Sequence, residues 1–360
     1  MSTTFHPLKI KQIKRETPDC VSVSFDVPED LKEQFKFTQG QYLTFKQIND
    51  GEEIRRSYSI CASPCENELK VAVKKITDGV FSSYVNDVAK EGDMVEVMTP
   101  QGTVFTELKP DNKKTYVAFA AGSGITPVMS IVKSVLKNEP NSNFILIYGN
   151  RNKAHIIFKE DIEALKNIFM DRLSVYHILS REIADADLLA GRITGEKAKL
   201  FLEHIVPVET IDEVFLCGPE DMILGVRDTL QDAGLEPKKI HFELFYSATA
   251  EEKKKEHAQA VNRADDKYSK VTVKLDASAL NMDLAYHGQT ILDAALQNGA
   301  DLPYACKGGV CATCKCKLEK GEVEMDINYS LEQDELDAGF ILSCQAHPRS
   351  EEVIVNFDIK

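Results

Sequence analysis

Four of the chain's nine cysteines fall within one short stretch, PYACKGGVCATCKCKL, which spans Pro303–Leu318 of 360 residues. The spacing runs Cys306-x4-Cys311-x2-Cys314, and a further cysteine, Cys344, follows thirty residues later. Thiols this dense can form disulfides, bind zinc, act as nucleophiles or hold an electron-carrying cluster. Which of these applies decides the fold of the C-terminal region and the function of the chain.

Disulfides are the first alternative, and the sequence argues against them. Nine is an odd number, and the opening residues MSTTFHPLKIKQIKRETPD lack the apolar core of a secretion signal. No apolar run approaches the roughly 20 residues needed to span a bilayer. We therefore expect a cytoplasmic protein without membrane association, in a compartment that keeps thiols reduced. Cys20, Cys61 and Cys65 are scattered, and we interpret them as buried small hydrophobic residues.

Zinc is the second alternative. Structural zinc sites usually pair their ligands as C-x2-C twice, whereas here four residues separate Cys306 from Cys311. The spacing C-x4-C-x2-C…C is typical of a plant-type [2Fe–2S] cluster, in which two irons take two thiolates each. Gly308 and Gly309 have no Cβ atom, so their N–H groups can point at the sulfurs. Cys316 falls where strand alternation should continue, and we interpret it as structural.

The C-terminal quarter predicts a small α+β domain around this loop. KVTVKLD and EEVIVNFDI alternate like strands, and TILDAALQNGA reads as a short amphipathic helix that ends at Gly299. The region 270–360 resembles the β-grasp domain of plant-type ferredoxins. That resemblance implies four cluster ligands: Cys306, Cys311, Cys314 and Cys344.

The rest of the chain predicts two further domains. Up to residue 110, alternating segments such as DCVSVSFDV, QYLTFKQI and DMVEVMTP are typical of an antiparallel β-barrel. Beyond it, apolar strands such as TYVAFAAG, FILIYGN and EVFLCG alternate with helical patterns, which indicates a doubly wound α/β domain. We predict a multidomain protein with a barrel at 1–110, an α/β domain at 111–246, a polar linker at 247–269 and the β-grasp domain at 270–360.

The barrel carries a flavin motif. RRSYSI ends a predicted strand and resembles the R-x-Y-[ST] motif of the ferredoxin–NADP reductase family. The resemblance implies that Arg56 faces the flavin phosphates, that Tyr58 offers an aromatic surface, and that Ser59 acts as a catalytic residue near the reactive ring. Taken alone, the motif also fits an ordinary strand with a paired arginine.

A second element supports FAD rather than FMN. Gly79-Val80-Phe81-Ser82 resembles the G-x-x-S element of the same family, and Ser82 falls where a helix should begin. Free N–H groups at a helix N-terminus bind a pyrophosphate well. Val73 and Lys74 lie on the preceding strand, where the family's backbone contacts the flavin.

The α/β domain predicts a nicotinamide nucleotide site. AAGSGITPVMSI places Gly122 and Gly124 between a buried strand and a helix, where backbone amides can approach a pyrophosphate. The stretch resembles the family element G-[ST]-G-[IL]-[TA]-P, which includes Thr126 and Pro127. YGNR ends the next strand at Arg151.

Two further segments resemble the family at the ends of later strands. CGP supplies Cys217, Gly218 and Pro219 at the carboxyl edge of the sheet, where ligands bind. The family's cysteine lies close to the nicotinamide, so we predict that Cys217 is catalytic; the alternative is a core cysteine. Glu243 and Phe245 match the family's terminal E-x-F, and Phe245 either covers the flavin or packs in a core.

The choice between NADPH and NADH depends on recognition of the 2′-phosphate. LSRE places Ser180 and Arg181 directly after the third α/β strand. A serine hydroxyl with a guanidinium suits a phosphate, whereas NAD enzymes often place an acidic residue there. Glu182 is nearby and complicates the choice. We predict NADPH.

The order of the three domains resembles the reductase components of multicomponent oxygenases. Within them, LIYGNR, NYSLEQDEL and ILDAALQNGADLPYACKGG resemble the family of phenylacetyl-CoA epoxidase reductases. This implies electron flow from NADPH through FAD and [2Fe–2S] to a di-iron oxygenase in phenylacetate degradation. The alternatives are a reductase for another oxygenase, such as an aromatic-ring dioxygenase or a desaturase, and a redox-sensing module.

The charge distribution bears on the partner. The net charge of −14 and the isoelectric point near 5.2 disfavour nucleic acid, which requires a basic face. The region 270–360 has fifteen acidic and eight basic residues, a net −7 and half of the total. This is either a solvated surface or a face that docks transiently onto an oxygenase partner.

Overall fold

The computed structural model describes residues 4–49, 51–102, 104–183, 186–245, 267–276 and 278–359. Residues 247–266 of the predicted linker lie outside these ranges. The chain forms two compact units, one at Phe5–Leu244 and the other mainly at Phe245–Lys360. No helix in the described ranges is long and apolar enough to cross a membrane.

The N-terminal half of the first unit is an antiparallel β-barrel, as predicted. The strands follow the order β4-β3-β6-β1-β2-β5, and a bridge between Ile60 and Val71 joins the two ends of the sheet. Apolar side chains such as Val23, Phe45 and Val97 alternate inward and fill the interior. The elements are β1 (Phe5–Thr17), β2 (Cys20–Asp26), β3 (Tyr42–Asn49), β4 (Glu52–Ser59), β5 (Leu69–Lys74), helix α1 (Val80–Asp87) and β6 (Met94–Met98).

The second half of this unit is a doubly wound parallel sheet, which confirms the prediction. The strand order is β11-β10-β7-β8-β9, so the chain reverses direction across the sheet between β7 and β10. Such a reversal leaves a crevice at the carboxyl ends of the two strands. The elements are β7 (Thr115–Ala121), α2 (Ile125–Asn138), β8 (Asn143–Asn150), α3 (Lys159–Ile168), β9 (Leu173–Leu179), α4 (Gly195–His204), β10 (Glu213–Gly218), α5 (Glu220–Asp232) and β11 (Ile240–Leu244).

Helix α2 fastens the barrel to the parallel sheet. The Ser130 hydroxyl donates to the carbonyl of Ala62 (2.6 Å), and the hydroxyls of Ser134 and Ser63 lie 2.9 Å apart. All these groups are buried. Apolar residues of both halves, including Cys61 of the barrel, share one continuous core. The barrel and the sheet are therefore packed as a single body.

The isolated cysteines fit the sequence interpretation only in part. Cys20 and Cys61 are buried, as predicted. The prediction was wrong for Cys65, which is exposed. Cys65 lies in the short turn Pro64–Glu66 at the surface, where its Sγ contacts the side chain of Asn138 (3.5 Å).

The second unit contains a five-stranded mixed sheet in the order β13-β12-β18-β14-β16, with a two-stranded sheet of β15 and β17. Helix α6 buries Ile291, Leu292 and Ala295 against the larger sheet. Strand β12 begins at Tyr268, so the last residues of the predicted linker belong to it. The elements are β12 (Tyr268–Leu275), β13 (Ser278–Ala285), α6 (Ile291–Gln297), β14 (Lys315–Lys320), β15 (Val323–Met325), α7 (Gln333–Asp337), β16 (Phe340–Leu342), β17 (Ala346–Pro348) and β18 (Glu352–Asn356).

A fully buried carboxylate stabilises the end of α2 that lies away from the glycine turn. Glu139 is 0% exposed and accepts four hydrogen bonds. Tyr116 and Ser142 donate their hydroxyls to Oε2 (2.9 and 2.7 Å), and the Asn112 amide and the Lys109 N–H donate to Oε1 (2.6 and 3.0 Å). A buried charge is tolerated only when it is satisfied in this way.

We expect Glu139→Ala to lower the free energy of unfolding of the first unit by about 2–4 kcal/mol, because it leaves several buried donors without an acceptor. Thermal and urea unfolding, followed by flavin fluorescence, measure the change. Glu203→Gln is the control, since Glu203 is half-exposed and its ion pair with Lys199 is long (4.0 Å). An equal loss of unfolding free energy in the two variants would contradict the stabilising role of Glu139.

Candidate functional site

The cysteine loop brings four thiols together in two pairs. Cys306 and Cys311 are hydrogen-bonded to each other, and so are Cys314 and Cys344. The first contact lowers the pKa of the Cys311 thiol to about 6 and raises that of Cys306. The hydrogen bond with Cys314, followed by burial, raises the pKa of Cys344. Two pairs of sulfurs match two tetrahedral irons, each of which takes two thiolates.

The backbone of the loop also suits a cluster. Lys307, Gly309 and Ala312 have left-handed φ angles of 50°, 73° and 51°, so the chain coils tightly around the thiols. The Gly308 N–H donates to Cys306 Sγ (3.3 Å), as expected from the sequence. A Cβ at Gly309 would lie 3.1 Å from the carbonyl oxygen of Ile327. The donor set and the inward N–H group both fit an iron–sulfur cluster.

Cys316 is set apart from the four paired thiols. Its side chain is 0% exposed, and burial raises the pKa of its thiol far above the ordinary value. It pairs with Ile341 in the sheet and packs within the apolar core of the second unit. This placement suits the structural role predicted from strand alternation.

In the barrel, the two adjacent arginines of β4 have different surroundings. Arg55 is buried, pairs with Glu53 (2.7 Å) and covers the ring of Phe5. Arg56 is exposed, and the only hydrogen bond of its guanidinium within the described residues goes to the Arg55 carbonyl (2.7 Å). Of the two arginines, Arg56 is thus the one whose guanidinium is available to bind a flavin phosphate. Tyr58 stacks on Phe81 with ring centroids 5.6 Å apart, and burial raises the pKa of its hydroxyl.

The turn before α1 depends on Ser82 and Gly79. Helix α1 begins at Val80, and Ser82 lies in its first turn. The Ser82 hydroxyl donates to the carbonyl of Gly79 (3.2 Å) and accepts the N–H of Ile76 (3.3 Å), so it holds the turn itself. A Cβ at Gly79 would lie 2.4 Å from Ser82 Oγ. A direct contact of this hydroxyl with a pyrophosphate stays a prediction.

Strand β5 lies between the residues predicted to bind the flavin and those predicted to bind the nucleotide. The carbonyl of Val73 accepts a hydrogen bond from the Asn86 amide (3.0 Å). Lys74 extends toward the glycine turn, since a Cβ built on Gly122 would lie 3.7 Å from its Nζ. Gly122 has a left-handed φ of 54°, and its carbonyl accepts the Tyr148 hydroxyl (3.0 Å).

The crevice between β7 and β10 brings together the residues predicted to be catalytic. A Cβ at Gly124 would lie 2.0 Å from the carbonyl oxygen of Cys217, so the glycine turn packs directly on the end of β10. Cys217 is the sheet neighbour of Glu243. The Ser59 hydroxyl, from the barrel, donates to Glu243 Oε2 (3.1 Å). Burial, and then Glu243, raise the pKa of the Cys217 thiol, which is therefore neutral.

Four predicted residues shape the backbone of this crevice. The Thr126 hydroxyl donates to the carbonyl of Ser123 (3.0 Å). Pro127 lies in the first turn of α2, where a helix does not need its N–H. A Cβ at Gly218 would lie 2.6 Å from Met222 Cε, and Pro219 caps α5.

Two exposed arginines lie side by side at the carboxyl ends of β8 and β9. The Arg181 N–H donates to the Arg151 carbonyl (2.8 Å). Neither guanidinium has a hydrogen bond or ion pair within the described residues. The Ser180 hydroxyl donates weakly to the carbonyl of Asn150 (3.4 Å). The Glu182 carboxylate accepts the N–H of Lys153 (3.2 Å), so a backbone group engages it.

Some predicted contacts stay predictions, and others were missed by the sequence reasoning. Phe245 is 41% exposed, and its place over the flavin stays a prediction. The contact between Ser59 and Glu243 joins residues 184 positions apart, and no pattern in the sequence signals it. Sequence patterning also missed helix α4.

Three family models match successive parts of the chain. Residues 7–105 match an oxidoreductase FAD-binding domain, residues 119–228 an oxidoreductase NAD-binding domain, and residues 277–349 a 2Fe-2S iron-sulfur cluster binding domain. A component of the 1,2-phenylacetyl-CoA epoxidase of Escherichia coli is 44% identical over 99% of both chains. The chain therefore belongs to the family of flavin-dependent reductases with a C-terminal 2Fe-2S domain that includes this epoxidase component.

Other oxygenase reductases are more distant. The ferredoxin reductase component of 3-ketosteroid-9-alpha-monooxygenase from Rhodococcus rhodochrous is 33% identical over 97% of this chain and 96% of its own. The phthalate dioxygenase reductase structure shares the fold, with a TM-score of 0.58 at 24% identity and 98% coverage of both chains. The chain is therefore an NAD(P)H-dependent oxidoreductase with FAD and [2Fe–2S] as cofactors, as its sequence predicts.

We expect Cys344→Ser to abolish the visible absorption of the cluster while NADPH still reduces the flavin, because one sulfur pair loses a member. Cys316→Ala is the matched control and should retain the absorption, since this thiol belongs to neither of the two thiol pairs. Iron analysis and absorption spectra of the two purified variants check both outcomes. A bleached Cys316→Ala protein, or an intact spectrum in Cys344→Ser, would show that the ligands are assigned wrongly.

Proposed function

We propose that this reductase supplies electrons from NADPH to the oxygenase component of a phenylacetyl-CoA epoxidase, in phenylacetate degradation. The observation that carries the proposal is the 44% identity, from end to end, with the E. coli component of that enzyme. When bound, FAD and the [2Fe–2S] cluster would supply the redox chemistry, the conversion of a two-electron hydride donor into single electrons. The side chains of the protein bind the cofactors, orient the reacting groups and shield them from water.

At the hydride-transfer site, the proposed roles of Ser59 and Cys217 follow from their surroundings. The Ser59 hydroxyl is held by Glu243 and is 2% exposed, so it has one fixed orientation. Cys217 is a neutral buried thiol, which suits packing beside a nicotinamide and not nucleophilic attack. Both residues position the reactants and exclude water.

Arg181 and Arg151 support the preference for NADPH. The backbones of the two residues are hydrogen-bonded to each other beside Ser180, and neither guanidinium has a partner among the described residues, so both are available to a 2′-phosphate. Glu182, whose carboxylate would repel a phosphate, is engaged by the N–H of Lys153.

We expect Arg181→Ala to raise the KM for NADPH roughly tenfold and to change the KM for NADH little, because only NADPH carries the 2′-phosphate. Steady-state reduction of an artificial acceptor with each nucleotide provides the measurement. Arg227→Ala is the control, since this arginine pairs with Asp228 on α5. Equal effects of Arg181→Ala on the two nucleotides would remove the case for phosphate recognition.

The acidic segment around α7 supports transient docking of the oxygenase. Glu332, Asp334 and Asp337 are exposed and have no ion pair within the described residues. Ser330 anchors this segment to the cluster loop: its hydroxyl accepts the Ala312 N–H (3.1 Å) and donates to the Gly309 carbonyl (3.3 Å). A partner with a basic patch would therefore be steered toward the exit of the electrons.

The proposal is tested by reconstitution of NADPH oxidation and substrate epoxidation with the purified phenylacetyl-CoA oxygenase. We expect turnover that depends on the reductase, and a 3-ketosteroid oxygenase in the same assay should give little. Asp334→Lys with Asp337→Lys should lower kcat/KM for the oxygenase roughly 3- to 10-fold at low salt and less at high salt.

Glu351→Lys is compared with Asp334→Lys alone as a matched control, since each replaces one negative charge with one positive charge. Glu351 directly precedes β18, and the pairing of β18 with β14 puts it at the end of β14 opposite to Cys314. An equal loss of kcat/KM in Glu351→Lys would show that the net charge of the protein, and not the position of the carboxylates on α7, determines the effect. Failure of the wild-type pair to turn over would refute the assigned partner.

A further inference from the structure

Gln345 follows the last predicted cluster ligand and turns its side chain back onto that ligand. The side chain is 5% exposed. Its Nε2 lies within hydrogen-bonding distance of Cys344 Sγ (3.5 Å), the Cys344 carbonyl (2.9 Å) and the Lys307 carbonyl (3.3 Å), which share its two N–H hydrogens. All three neighbours are acceptors, so the amide must present its NH2 group to them and not its oxygen.

Packing fixes the position of this carboxamide. A Cβ built on Gly309 would lie 3.2 Å from Gln345 Cγ, so the cluster loop presses directly on the side chain. The main chain of Gln345 is also held, because its N–H donates to the Leu342 carbonyl (2.9 Å) and its carbonyl accepts the Asp326 N–H (3.0 Å). The donor therefore has one orientation, shielded from water.

A donor to a ligand sulfur stabilises the reduced cluster more than the oxidised one, because the added electron makes the sulfurs more negative. The effect is strong in a buried site, where water does not compete. We propose that Gln345 is a positioning residue that raises the reduction potential of the [2Fe–2S] cluster through its hydrogen bond to Cys344 Sγ. This inference rests on the cluster ligation proposed above.

Ser343, on the other side of Cys344, offers a comparison. Its N–H and its hydroxyl both donate to the carbonyl of Cys314 (3.2 and 2.9 Å). Ser343 thus ties the same two segments together and is fully buried, but these two hydrogen bonds reach a carbonyl and not a sulfur. A variant at Ser343 therefore shows the effect of weakening the tie between the two segments without the loss of a hydrogen bond to Cys344 Sγ.

The test is a redox titration of full-length Gln345→Met, which keeps the length and apolar volume of the side chain but has no donor. We expect the cluster to be roughly tenfold harder to reduce in a one-electron equilibrium, which corresponds to about 59 mV more negative. The flavin potential in the same sample is the internal control and should not change. Ser343→Ala should lose iron faster on heating but keep the wild-type cluster potential.

An unchanged cluster potential in an iron-replete Gln345→Met protein would overturn the proposal, and so would an equal potential shift in Ser343→Ala. If Gln345→Met does not assemble a cluster, a measurement on the wild-type protein tests the hydrogen bond directly. With 15N only in glutamine side-chain amides, pulsed electron paramagnetic resonance of the reduced protein should show a 15N coupling, and its absence would overturn the proposal. A wild-type protein without any cluster would instead refute the proposed function.

Discussion

The contact between Gly124 and the carbonyl of Cys217 is the constraint on which the nucleotide side of the molecule depends. No side chain fits there, since a Cβ would come within 2.0 Å of that oxygen. The contact brings the glycine turn after β7 against the end of β10, beside Glu243 and the Ser59 hydroxyl of the barrel. The shared core under α2 holds the barrel against the sheet, as the hydrogen bond between Ser59 and Glu243 requires.

In the second unit, the cysteine loop is positioned by other interactions. This unit has its own apolar core beneath α6, and its loop is shaped by left-handed residues and by hydrogen bonds from the segments around Ser330 and Ser343. A chain segment with its own core can in principle fold by itself. The cysteine loop thus depends on contacts within its own unit, and the residues predicted to bind the flavin and the nucleotide depend on contacts within the first unit.

The sequence predicted local features well and distant contacts poorly. Ligand spacing, strand alternation and glycine turns are imposed by chemistry within a few residues, so the cysteine loop, the barrel and the parallel sheet could all be anticipated. The Ser59–Glu243 bond and the Gln345–Lys307 bond join distant segments, and no periodicity encodes them. Cys65 was misjudged because hydrophobic character alone does not fix burial: its surface turn is set by Pro64 and by α2.

The outward orientation of α7 has a consequence for how such reductases diversify. The carboxylates of Asp334 and Asp337 are exposed, and within the described residues they accept hydrogen bonds only from Glu335 and Gln333 of the same helix, so their substitution leaves the apolar core of the second unit intact. Selection can therefore rewrite the recognition of an electron acceptor one surface residue at a time while the cofactor-bearing interior stays the same. The 3-ketosteroid oxygenase reductase described above matches this chain along nearly its whole length, although the name of its oxygenase differs.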